Sequence, residues 1–448
     1  MALSFLKNDY TKWSLIVLAG SLFASFLNYS FTLIMGRMLG PAFFGEVSTI
    51  FGLMVILVAP TQAISNYISR HISFLAGKKD YLTARVWLWK VSRSVLFFSL
   101  AFLFVFWLLI PILSRFLGID LLPLFVFSFA IPFAFMLSVY AGALQGLKSF
   151  TAFSLQNILG TALKLSLAVV FVYIGLLVPG VMLALVISLA AACFYNYTKI
   201  KSFCPPEADP PLAEKNLNLN LAERIETRPP GTILKNIFSK SFLTVFLAAL
   251  LVALVSNIDV ILVKHFFEPG LAGEYAALSA IGKILIYVSS AFVTVMFAVV
   301  SESFAAGPEY NRGTVKSPHI LKTFKNTLAY ISVISLPAVL VFGFAPNMVV
   351  RIFFGATYIK IAPYLPIFSI AMFLLSLSIA FIHYFLATRN NSFILPFSVS
   401  VLLQIILISL NHSNIQDIVM SMLWSSIFLL AVLFATHFLN GKFQNMVK

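Results

Sequence analysis

The chain has 448 residues, 60% of them hydrophobic and 10% charged, with 30 Lys and Arg against 15 Asp and Glu for a net charge of +15. Soluble domains run at about 45–50% apolar and about 25% charged, so the apolar excess must face lipid. That excludes a cytosolic enzyme, a secreted disulfide scaffold and a disordered tail, and two cysteines, Cys193 and Cys204, build neither a disulfide framework nor a metal cluster.

A bilayer core takes about 20 predominantly apolar residues per helix. Stretches of this kind fall at 13–35, 46–69, 94–113, 121–144, 152–175 and 180–198, then at 241–263, 271–300, 327–350, 361–386, 393–410 and 416–439. The first is too long for a signal-peptide core and no small-residue cleavage site follows it, so it reads as a retained helix. The expected fold class is an all-α polytopic membrane protein with twelve transmembrane helices in two six-helix lobes, 1–198 and 237–448. Between them, 199–236 holds six of the twenty prolines, an Asn-Leu alternation from Asn216 to Leu221, four glutamates and an aspartate. That composition predicts a linker.

Orientation follows the placement of Lys and Arg in short loops. With both termini cytoplasmic, 23 basic residues fall on the inside and five (Arg37, Arg115, Lys264, Arg351 and Lys360) on the outside, while Lys164 and Lys283 lie within spans. The net charge is therefore mostly a topology signal with an attraction for anionic lipid headgroups, and no nucleic-acid footprint. The expected location is the cytoplasmic (inner) membrane.

Two segments align at an offset of 228 residues: Leu39 to Glu46 and Phe267 to Glu274. Pro41 pairs with Pro269, Gly45 with Gly273 and Glu46 with Glu274, each at the turn between the first and second spans of its half. A second echo sets Pro111, Arg115 and Gly118 beside Pro346, Arg351 and Gly355, after the third span of each half. Two echoes in the same order indicate duplication. Because six is even, both halves enter the membrane the same way up, as in transporters with parallel repeats, whose substrate site lies between the lobes near the midplane.

Gly36-Arg37-Met38-Leu39-Gly40-Pro41-Ala42-Phe43-Phe44-Gly45 resembles the R-x-L-G-P-x-x-[FY]-G turn of the Wzx-type polysaccharide-biosynthesis flippases. These belong to the MOP superfamily together with MurJ and the MATE exporters. Leu144-Gln145-Gly146-Leu147-Lys148-Ser149-Phe150 is similar to the segment that follows the fourth span in that family. The resemblance implies a V-shaped pair of six-helix lobes that moves polyprenyl-diphosphate-linked oligosaccharide to the outer leaflet by alternating access. The implied partners are anionic lipid-linked oligosaccharide, membrane lipids, and glycan polymerase or assembly proteins. In the second half the turn reads Glu268-Pro269, without the Gly-Pro of the first.

Ionisable groups at membrane depth cost about 2.5–3.5 kcal/mol on insertion scales, so they usually face a cavity or a partner. Lys164 lies deep in the fifth span on a face with Asn157, Gly160 and Thr161. Lys283 lies equally deep in the eighth, on a stripe with Tyr275, Ser279, Tyr287 and Ser290. Both lysines can attract a diphosphate as point charges; each can instead snorkel or pair with a carboxylate such as Asp259. Asp259 itself reads as an ion-coupling or proton site, or as the partner of Lys283 or Lys264. Asn28 (with Ser21, Ser25 and Thr32) and Gln62 with Asn66, just after Pro60, form polar stripes that either line a sugar chamber or join helices. Arg37 is placed to touch phosphate at the outer rim. Glu46 and Glu274 follow glycines at helix starts, where a carboxylate complements the helix dipole.

No metal-ligand spacing, cofactor motif or catalytic constellation is present in the sequence, which argues against an enzyme such as a glycan polymerase. Two transport readings remain beside the flippase: an ion-coupled MATE-type exporter of drugs or cations, which would want carboxylates in its chamber, and a lipid II flippase.

Overall fold

The computed structural model describes residues 9–78, 80–203, 240–306 and 318–446. Every described element is helical. Among the described residues, eleven helical stretches are long and apolar enough to cross a membrane. The first of them, Gly20–Leu57, is itself two helices, because Gly40 breaks the run with φ 70° and ψ 175°. Only glycine takes such a φ cheaply, and Pro41 demands the extended ψ of the residue before it while starting the next helix well.

Dividing the run there gives α1 (9–39) and the first part of α2 (41–57); α2 continues as Ala59–Gly77. Pro60 explains the interruption at Val58, since its ring clashes with the carbonyl four residues back and it offers no N–H. The remaining helices of the first half are α3 (Tyr81–Leu117), α4 (Leu121–Ser128 and Ala130–Gly146), α5 (Phe150–Tyr173) and α6 (Leu177–Phe203). The second half holds α7 (Lys240–Phe266), α8 (Pro269–Gly282 and Ile284–Ala306), α9 (Pro318–Phe344), α10 (Leu365–Ala387), α11 (Ile394–Leu410) and α12 (Ile415–Met446). A short helix, Pro346–Phe353, and a 3-10 turn, Ala356–Tyr364, precede α10. Among the described residues the chain has twelve long helices, and it is a multi-span membrane protein. Of the expected linker, 204–236 lies outside the described residues, and 199–203 extends α6.

Helix ends follow local chemistry. Asp80 caps α3 by accepting from the Thr83 N–H at 3.1 Å, and Gly118 ends it in the left-handed region. Gly355, its counterpart in the second echo, also has a positive φ. The α4 break at Phe129 falls three residues before Pro132, and Trp107 Nε1 donates to Ser128 Oγ there at 2.8 Å.

The chain forms two compact units, residues 1–39 with 57–246, and residues 40–56 with 247–448. The first part of α2 thus packs within the second unit. In the first unit α5 lies along α6 and the Ala59–Gly77 part of α2 along α4. A core of Ile68, Ile72, Leu88, Val139 and Leu144 closes that second pairing. In the second unit α10 is the central helix, packed by α12, α9 and the Ile284–Ala306 part of α8. Large apolar side chains point outward instead of being hidden: Phe97 on α3 is 77% exposed. That is the surface of a protein solvated by lipid.

Candidate functional site

Each unit holds one of the two deep lysines, in different company. In the first unit Lys164, in the middle of α5, donates from Nζ to Asn28 Oδ1 on α1 at 2.6 Å. Its ammonium also lies 4.5 Å from the ring centre of Phe31, one helical turn from Asn28. The sequence anticipated both Lys164 and Asn28 as substrate-binding candidates, and the fold brings them together. Lys164 is half-buried and Asn28 exposed. No Asp or Glu occurs between Asp120 and Glu207, so α4, α5 and α6 hold Lys164 at depth and no acid to offset it.

Asn157 sits two turns before Lys164 on α5. Its Oδ1 accepts from Gln156 Nε2 at 3.1 Å, and its backbone oxygen accepts from Thr161 Oγ1 at 2.6 Å. Gln156 Oε1 in turn accepts from Asn196 Nδ2 on α6 at 3.0 Å. The Gln156–Asn196 pair is buried and was missed by sequence reasoning; an Asn inside the apolar run of the sixth span was the available signal. Gln62 and Asn66 are exposed and bonded to each other, Nε2 to Oδ1 at 3.3 Å. Arg37 is exposed near the end of α1.

In the second unit Lys283 Nζ lies 3.8 Å from Asp259 Oδ1. Asp259 is fully buried and Lys283 9% exposed. The other carboxylate oxygen, Oδ2, accepts from Tyr275 at 3.0 Å and from Ser279 at 3.1 Å. Of the partners the sequence left open for Asp259, the structure selects Lys283, while Lys264 lies 3.8 Å from Glu46. Gln404, also missed, donates from α11 to the Val255 carbonyl, one turn before Asp259, at 3.2 Å. Among the described residues, no group of three His, Cys, Asp or Glu could hold a metal ion.

No family model matches the chain, and no curated protein matches it in sequence. Solved structures do match it along nearly its full length. A multidrug-resistance MATE transporter of the MOP superfamily, in an inward-facing conformation, superposes with a TM-score of 0.71 at 15% identity, covering 92% of this chain and 95% of that one. The lipid II flippase MurJ, in an inward closed conformation, gives 0.61 at 15% identity over 93% of this chain and 87% of that one. The fold is that of the MOP-superfamily transporters. A further MOP structure, from Pyrococcus furiosus, gives 0.65 at 16% identity over 96% of this chain and 94% of that one. It is described as having a binding pocket of reversed polarity that suggests a different function. At these identities the likeness is one of fold, and the MOP neighbours are transporters and a flippase, not enzymes.

Proposed function

We propose that this MOP-fold protein is a flippase that carries anionic, polyprenyl-diphosphate-linked oligosaccharide across the cytoplasmic membrane by alternating access. One observation carries the reading: Lys164, at the middle of α5, is held toward Asn28 by a 2.6 Å bond in a set of helices that contains no acidic residue at depth. A cation in an acid-free, amide-bearing setting attracts a phosphate, and the amides of Asn28, bonded to Lys164, and of Asn157, two turns away on α5, suit sugar hydroxyls. A cationic drug would meet repulsion there. In the second unit the deep carboxylate Asp259 already faces Lys283, which favours anionic over cationic cargo. A membrane potential negative inside assists outward movement of negative charge by about 2.3 kcal/mol per charge per 100 mV.

The test is flipping of a fluorescent lipid-linked oligosaccharide by the purified protein in liposomes, with Lys164→Ala beside the wild type. Transport by the wild type and its loss in the variant support the reading. Absence of flipping together with efflux of cationic dyes would replace it by the exporter reading. Transport confined to lipid II would narrow it to the peptidoglycan precursor.

A further inference from the structure

The second lysine supports a separate inference, which rests on the anionic-substrate reading above. We propose that Asp259 is a built-in stand-in for the substrate's phosphate. It holds Lys283 at the joint of α8 while the site is empty, and an incoming phosphate takes Lys283 away from it.

The two oxygens of Asp259 are used differently. Oδ2 is anchored by the hydroxyls of Tyr275 and Ser279, both on the Pro269–Gly282 part of α8. Oδ1 accepts no hydrogen bond and faces the Lys283 ammonium at 3.8 Å. That separation lies beyond the 2.7–2.9 Å of a charge-assisted hydrogen bond, so the contact is Coulombic alone. Removing the ammonium breaks no hydrogen bond of the carboxylate, which stays fixed by its other oxygen. A phosphate offers Lys283 the short bonds that Oδ1 does not.

Lys283 is also placed to make that exchange. It is the turn residue between the two parts of α8. Beside it, a Cβ on Gly282 would lie 2.5 Å from two ring atoms of Phe368 and 2.9 Å from Met372 Cγ, so the joint is pressed onto α10. One turn further along, Tyr287 is 59% exposed, and Ser290 and Thr294 continue the exposed polar face. This track ends at Lys283, whose four-carbon stem can swing from Asp259 toward Tyr287 without moving the backbone. Loading the site therefore removes the ionic contact across the α8 joint.

The test uses the full chain purified in detergent, with farnesyl diphosphate as probe and farnesol as the uncharged control, reading affinity and ligand-induced shift in Tm. Asp259→Asn removes the internal competitor, so the diphosphate should bind about tenfold tighter, with a larger Tm shift than in the wild type. Lys283→Gln should bind at least tenfold more weakly, and Asp259→Asn combined with it should match Lys283→Gln alone. Tyr275→Phe frees Oδ2 to turn toward Lys283 and should weaken binding a few-fold, the opposite sign to Asp259→Asn; it decides the question if Asp259→Asn cannot be purified. Diphosphate binding that is weakened by Lys164→Gln but unchanged by Asp259→Asn overturns this inference and leaves the anionic-substrate reading standing. Absence of diphosphate binding by the wild type overturns both.

Discussion

Gly45 and Gly273, equivalent positions of the internal repeat, meet backbone to backbone. A Cβ on Gly45 would lie 2.9 Å from the Gly273 nitrogen, and a Cβ on Gly273 would collide with the Pro41 carbonyl. The first part of α2 and the start of α8 therefore touch backbone to backbone, the use small residues serve in membranes. Around the crossing, Phe44 packs on Phe354 at 5.4 Å and Glu46 faces Lys264 at 3.8 Å. Gly273→Ala is expected to destabilise by about 1–3 kcal/mol, the range for overpacking a well-filled contact. Gly270→Ala, where nothing lies within 4 Å, is the control and should stay near the wild type. Thermal melting of the detergent-solubilised protein checks this, and equal Tm values for both variants would contradict the crossing.

The Lys283–Asp259 pair gives a second prediction. Removing one partner of a buried ion pair leaves an uncompensated charge and costs about 3–5 kcal/mol, whereas replacing both by apolar groups is often neutral. Lys283→Met alone should therefore lower Tm strongly, and Lys283→Met with Asp259→Leu should recover most of the loss. The double variant also strands the hydroxyls of Tyr275 and Ser279, so recovery should be incomplete until Tyr275→Phe is added. Additive losses from the two single changes would show that the pair is not coupled in the folded protein.

Much of this architecture could be read in the sequence because lipid imposes simple rules. Apolar runs of spanning length located the helices, Gly40-Pro41 marked the turn between the first two, and Pro60 marked the break in α2. The break in α8 at Lys283 had no such mark. It contains no proline and falls beside Gly282, which lies against Phe368 of α10. The same limit applies to partners. Helical period places Asn157, Thr161 and Lys164 on one face of α5, but which residues of α1 meet that face depends on packing. Asp259 was equally compatible with Lys264 and Lys283 until the fold separated them. The Gln156–Asn196 bond joins two helices whose polar residues each looked isolated in the sequence.

A pH effect is expected at the end of α2 that follows Pro60. His71 stacks on Trp87 with ring centres 4.0 Å apart, and its burial there pushes the imidazole below its ordinary value of 6.5. The folded state thus favours neutral His71. Its contribution to stability is complete above pH 6.5 and is lost as pH falls through the lower folded value. Between pH 7 and pH 5 the wild type should lose Tm, and His71→Phe, which keeps a ring against Trp87, should lose less. Melting curves across that range provide the measurement, and identical pH slopes would sink the assignment.

The most direct probe of Lys164 is a change of its neighbour. Asn28→Asp places a carboxylate where an amide oxygen now accepts from the ammonium at 2.6 Å. The shape of the site is almost unchanged, but its net charge falls from positive to neutral, and a short ion pair would compete with phosphate for the same donor. Asn28→Ala removes the amide and keeps the positive charge. If the lysine acts by attracting an anionic headgroup, Asn28→Asp should reduce flipping of lipid-linked oligosaccharide at least tenfold, about 1.4 kcal/mol or more. Asn28→Ala should cost clearly less. If Asn28 serves only to join α1 to α5, the order reverses, because the ion pair would hold the helices better than alanine does. Flipping rates and Tm for the two variants, measured on the same preparations, separate these cases: a stable Asn28→Asp protein that has lost transport points to charge, and an active one would show that the cation of Lys164 is not what the substrate meets.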